Sequence, residues 1–175
     1  MQRVAILGRG GAGKSRAARD LGAVTGLPVV ELDPLFWRPD LTPTPAEEWA
    51  RVQRVLLLEP SWIIDGDLGP YDDLEPRLAA ADTVLVLDFG LARCAWRALR
   101  RGRESREFWI WLALWRFRSR PVVLQAIRRS APAAVVRVLR RPRDLARLLD
   151  GLASAAAASF PDAGVRADRG RCSGV

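Results

Sequence analysis

The sequence predicts an α/β domain with a parallel β-sheet covered by helices on both faces, and three observations carry that prediction. Short apolar runs recur at 4–7, 28–33, 62–66, 83–88 and 133–139, each with the length and β-branched content of a buried strand. Stretches of helical spacing separate them, and alternation of this kind builds parallel sheets with right-handed crossovers. Finally, the glycine-rich stretch GRGGAGKS, from Gly8 to Ser15, joins the first strand to the first helix. It fits G-x-x-x-x-G-K-S, a loop whose backbone N–H groups cradle phosphates, whose Lys reaches the β- and γ-phosphates and whose Ser hydroxyl ligates Mg²⁺.

In chain order, Ala17, Ala18, Leu21, Val24 and Leu27 place a helix over 14–26, so that the loop opens onto a positive helix N-terminus. The second strand ends in Asp33, and a turn-rich piece with Pro39, Pro43 and Pro45 follows. Thr44, Pro45 and Glu47 predict a helix start with Thr as its N-cap; the helix should reach about Glu59 with Trp49, Val52, Leu56 and Val55 on its apolar face. The third strand, WIID, ends in Asp65 before Gly66. A short helix is expected over 71–81, then the strand TVLVL ending at Asp88, a helix over 91–101 striped with Arg93 and Arg97, and an aromatic helix over about 105–118. A helix over 121–130, the fifth strand and a last helix over 142–152 complete the domain. The remainder, 153–175, has no period and is expected to be disordered.

Composition narrows the chemistry. The 175 residues suit one domain. His is absent, which excludes His-based triads and most zinc sites, and the two cysteines, Cys94 and Cys172, have no metal spacing. Of 28 basic residues only Lys14 is a lysine. A compact, rotatable ammonium therefore stands where a phosphate pocket uses a point charge rather than a planar fork. The net charge of +8 is concentrated between Arg93 and Arg147, a field that favours anionic partners. The chain enters a strand at once without a cleavable apolar leader, and its longest aromatic-apolar run, 108–115, is too short to span a bilayer. A cytoplasmic protein without membrane association is expected.

Ligands of open α/β sheets bind at the carboxyl ends of the strands, which would gather the phosphate loop, Asp33, Asp65 and Asp88. Phosphoryl transfer needs positioned phosphates, a fixed metal and neutralised charge. Lys14 and the loop backbone (Gly8, Gly10, Gly11, Ala12, Gly13, Ser15), with Arg16 next to it, are the candidate nucleotide-phosphate holders. Ser15 with Asp65, the latter through water, is the candidate Mg²⁺ site. Asp33 is the candidate for orienting or deprotonating an acceptor hydroxyl. Asp88 is either in outer contact with the site or an N-cap of the following helix. Arginines 93, 97, 100, 101, 103 and 106 surround the loop at Gly102 and could close over a nucleotide. Trp37 is the aromatic candidate on the acceptor side, while Trp109, Trp111 and Trp115 read as core.

The succession GRGGAGKS, LDPLFWRP, EEW, WIIDGD, ADTVLVLD, WRALRR and WxxWRFRSRP resembles the topology modulation family of bacterial P-loop proteins, related to the adenylate and shikimate kinases, over about residues 1–150. The resemblance implies a nucleoside-monophosphate-kinase-like fold with strand order 2-3-1-4-5, an acceptor-binding insert at about 34–60 and a small Arg-rich lid at about 97–120, within a domain spanning 1–152. It further implies ATP and Mg²⁺ as cofactors, Asp33 on the acceptor side, Asp65 as the acid before Gly in a DG motif, and Arg97 and Arg101 as catalytic lid residues. Arg140 to Arg143, with Arg141 among them, fall where the related kinases hold adenine. The chain departs from the pattern at Arg16, beside the phosphate site where Thr is usual, and at Asp67, where Asn followed by Tyr is common. The expected activity is transfer of the ATP γ-phosphoryl to a small-molecule acceptor. The alternatives are a nucleotide-dependent, nucleic-acid-associated protein, less favoured because no nucleic-acid module is present, and a nucleotide-binding protein without turnover.

Overall fold

The computed structural model describes residues 1–69, 73–102 and 104–159. Five strands, β1 (Arg3–Gly8), β2 (Val29–Glu31), β3 (Trp62–Asp65), β4 (Thr83–Leu87) and β5 (Val135–Leu139), form one sheet in the order β2-β3-β1-β4-β5. All four pairings are parallel. The three central strands are apolar because both faces of a parallel sheet are covered: Val4, Ile6, Ile63, Leu85 and Leu87 pack into one layer, and Ala5, Leu7, Trp62, Ile64, Val84 and Val86 into the other.

The helices are α1 (Lys14–Thr25), α2 (Asp33–Phe36), α3 (Ala46–Leu58), α4 (Glu75–Ala80), α5 (Leu91–Arg101), α6 (Arg106–Leu114), α7 (Ser119–Ser130) and α8 (Pro142–Ser159). Helices α1 and α8 cover one face, with Ala17, Ala18 and Leu21 fully buried there beside Leu145, Leu148 and Leu152. The other face takes Trp49 of α3, Leu78 of α4 and Val123 and Ile127 of α7. Register puts Asp65 beside Ile6 and Glu31 beside Asp65, so the carboxyl ends of β1, β2 and β3 lie together at the start of α1.

Several local expectations change. The second strand stops at Glu31 rather than Asp33, and Asp33 opens the single-turn α2, where Pro34 fits the first turn because its missing N–H costs nothing. Thr44 does not cap α3: its hydroxyl donates to the Phe36 carbonyl at 2.6 Å, as does its N–H at 2.9 Å, tying the Pro-rich piece back onto α2. Pro45 stands at the cap instead. On α3 the helical repeat buries Gln53 and leaves Val55 64% exposed. Buried Gln53 accepts from Arg77 of α4 at 3.2 Å, so a polar pair occupies a site an apolar reading assigns elsewhere. Helix α4 begins at Glu75, and 70–72, within its expected span, lie outside the described residues. Helix α6 ends at Leu114, four residues early. Helix α8 continues to Ser159, seven residues past its expected end, because alanine sustains a helix without a packed face; the rest of the expected tail, 160–175, is outside the described residues.

Candidate functional site

At the carboxyl edge of the sheet a cleft of about 840 Å³ opens between α1, α2, the segment after β3 and the α5–α6 corner, within the size range of small-molecule sites. Its floor is the glycine-rich loop. Gly13 caps α1 with φ +90° and ψ +38°, a left-handed conformation that costs an L-residue strain. A side chain there would also meet the Arg97 guanidinium, whose Nη2 lies 2.6 Å from the position of a Cβ. Gly11, at φ +71°, sits against the Cys94 carbonyl of α5. The loop thus presents backbone alone, with the N-terminus of α1 pointing into the cleft. Lys14 folds over it and its Nζ donates to the Gly8 carbonyl at 3.1 Å.

Asp65 lies beneath Lys14 and Ser15, only 4% exposed. Burial pushes its carboxyl above the usual carboxylate range; the Lys14 charge and the Ser15 hydroxyl pull it back, and the nearby Asp33 and Glu31 push it further up. Its Oδ1 is buried without a hydrogen-bond partner among the described residues. An orphaned carboxylate oxygen beside a hydroxyl, facing a phosphate cradle, is a donor set of hard oxygens that fits Mg²⁺.

Asp33 is exposed at the first position of α2 and lines the cleft opposite the loop. Trp37, half-buried, stands beside it with its ring edge-on to Phe36 at 4.9 Å. Arg97 and Arg101 both reach the cleft from α5, and Arg101 pairs with Glu104 at 2.8 Å. Arg16 lines the cleft but is held by Asp20 one turn along at 2.9 Å. Two expected residues are not gathered. Asp88 accepts from Arg120 of α7 at 2.8 Å and does not line the cleft, and Gly90 rather than Asp88 is the N-cap of α5. A carboxylate only 10% exposed takes the cation within reach. Arg141 is exposed on the turn before α8, its N–H donating to Asp144 at 2.8 Å, and is not among the residues that line the cleft. Arg103 lies outside the described residues.

Other cleft residues were not legible in advance. Phe108 and Trp111 of α6 close the wall over Gly10, where a Cβ would come within 2.6 Å of the Trp111 ring and 2.7 Å of Phe108; of Trp109, Trp111 and Trp115, all read as core, only Trp115, just past the end of α6, is fully buried. Arg9, inside the glycine-rich loop, is 3% exposed with its guanidinium over Trp115 at 5.3 Å. It braces the loop from behind. Arg19 of α1 and Glu31 of β2 form an ion pair of 2.5 Å on the cleft wall. The signal for that pair is weak in sequence, being two ordinary charges 12 residues apart.

The fold has counterparts among solved structures. A shikimate kinase from Acinetobacter baumannii, in complex with shikimate, superposes with a TM-score of 0.59 at 14% identity, covering 93% of this chain and 96% of that one. A gluconokinase from Sinorhizobium meliloti 1021 gives 0.51 at 17% identity, covering 90% and 93%. The fold is that of the P-loop kinases. No family model matches the chain, and no curated protein does. Among the described residues no helix is long and apolar enough to cross a membrane.

Proposed function

We propose that the chain is an ATP-dependent small-molecule kinase that moves the γ-phosphoryl of ATP to a hydroxyl of an acceptor held between Asp33, Trp37 and the wall of α6. The observation that carries this reading is the buried Asp65, with one oxygen orphaned beside Ser15 at the phosphate loop and a second carboxylate, Asp33, across the same cleft. The loop backbone and Lys14 hold the β- and γ-phosphates and neutralise charge as it spreads in the transition state. Arg97, already packed on Gly13, adds a forked cation to the same oxygens, and Arg101 stands one turn further along to close the corner. Ser15 and Asp65 would hold Mg²⁺, which when bound supplies charge neutralisation between the phosphates. Asp33 accepts the hydroxyl proton as the acceptor oxygen bonds to phosphorus and the bond to ADP breaks.

This assignment makes nucleoside triphosphate and a small acceptor the partners, in the cytoplasm, and it accommodates the resemblance to the topology modulation family without needing a nucleic-acid surface. The named substrates of the two solved kinases, shikimate and gluconate, support an acceptor with several hydroxyls. The test is ADP formation by the full chain with ATP and Mg²⁺ across a panel of hydroxyl compounds. Stimulation by particular acceptors, with a phosphorylated product seen by mass spectrometry, is expected; hydrolysis at one rate whatever is added would overturn the reading.

A further inference from the structure

Charge divides the cleft unevenly. The cations that line it are Lys14, Arg16, Arg19, Arg97 and Arg101. Lys14 and Arg97 belong to the phosphate loop, the first over Gly8 and the second over Gly13, and Arg101 is paired with Glu104 on the same corner. The other two are each already paired with a carboxylate: Arg16 with Asp20 and Arg19 with Glu31. The cleft wall also carries the carboxylates of Asp33 and Asp67 and the ring of Trp37.

A carboxylate or phosphate group on the acceptor needs a forked or point cation free to receive it, and without one its desolvation is uncompensated. Among the described residues the acceptor end offers carboxylates and aromatic surface instead. Carboxylates accept hydrogen bonds from hydroxyl and ammonium groups, and the face of a tryptophan attracts an ammonium and packs against an apolar ring face. We propose that the acceptor is a polyhydroxylated compound without negative charge, uncharged or amine-bearing, and that the Arg19–Glu31 pair keeps carboxylate and phosphate analogues out. Discrimination of this kind works by withholding a partner from the wrong ligand rather than by adding a contact to the right one. The inference rests on the kinase reading above, because it describes the acceptor half of the same site.

The experiment uses sets matched in shape and differing in charge: glucose, glucosamine and gluconate; myo-inositol and inositol monophosphate; adenosine and AMP. ADP formation is followed with ATP and Mg²⁺, and binding is measured separately by calorimetry on the full chain saturated with a non-hydrolysable ATP analogue. In every set that shows binding or turnover the neutral or amine-bearing compound should be at least about tenfold more effective than its anionic partner in both assays. An anionic compound that is equal or better overturns this inference and leaves the kinase reading standing. Binding of the ATP analogue with no acceptor bound or turned over from any set overturns both. Glu31→Gln releases Arg19 and should narrow the preference by at least about threefold, whereas Arg19→Ala, which removes the same ion pair without freeing a cation, should keep it; an unchanged preference in a folded Glu31→Gln protein overturns the role given to the pair.

Discussion

The proposed donor side of the cleft is eight consecutive residues that present mainly backbone, while the proposed acceptor side is assembled from side chains of α1, β2, α2, the segment after β3 and α6. The two sides also differ in exposure. Gly8, Arg9, Gly10 and Ala12 are buried, wedged between β4, α5 and α6, whereas Asp33 at the opposite wall is exposed on a helix of a single turn. Backbone amides held by packing suit a ligand part that never varies, the polyphosphate. Side chains on short, exposed elements suit a part that differs between enzymes of one fold.

The comparison can be broken most severely at Lys14. Lys14→Ala removes the cation from the donor side and should lower kcat/KM by about 10³-fold, with weaker binding of an ATP analogue by calorimetry. An acceptor-side change should behave differently. Asp33→Asn is expected to lower kcat by about 10²-fold while the affinity for the ATP analogue stays within experimental error; loss of nucleotide affinity in that variant would show that the halves are not separable.

Rigidity of the donor loop is tested by Gly13→Ala. The left-handed conformation and the Arg97 contact together should cost about 2 kcal/mol of unfolding free energy, read from the urea midpoint. Nucleotide affinity should fall with it.

The smallest effect belongs to a carboxylate outside both halves, Asp82, which clips the start of β1. Partial burial disfavours its charge, but the Thr83 hydroxyl and the N–H groups of Arg3 and Gln2 outweigh it and hold the carboxyl below the usual range. A depressed value means the clip contributes above the ordinary carboxylate pKa and is lost as pH falls through the lowered one. Asp82 is exposed and solvent screens the clip, so Asp82→Asn should lower stability by no more than about 0.5 kcal/mol near neutral pH, a difference that closes in acid, and leave kcat and KM unchanged.

Legibility in the sequence followed the same divide. The loop, its lysine and the acid after β3 were readable because each is a local pattern: a spacing of glycines, a single lysine among 28 basic residues, an Asp ending an apolar run. Asp88 ends an equally clear strand, yet it is drawn to Arg120, 32 residues away, and no local pattern contains that partner. Thr44 looked like a helix cap and instead holds the Phe36 carbonyl. Trp111 looked like core and lines the cleft, because α6 is apolar nearly all round and its periodicity does not say which side meets the sheet.

By itself the sequence determined the alternation of strands and helices, the phosphate loop and the identity of the residues at the strand ends, since these depend on short-range periodicity and on glycine's freedom at defined positions. Tertiary structure alone decided which charges are spoken for. Arg19 is spent on Glu31 and Arg120 on Asp88, and among the described residues Asp65 keeps an oxygen free beside Ser15. Ion pairs and desolvation act between atoms a few ångströms apart whatever their separation along the chain, so the character of the acceptor wall exists only once the chain has folded.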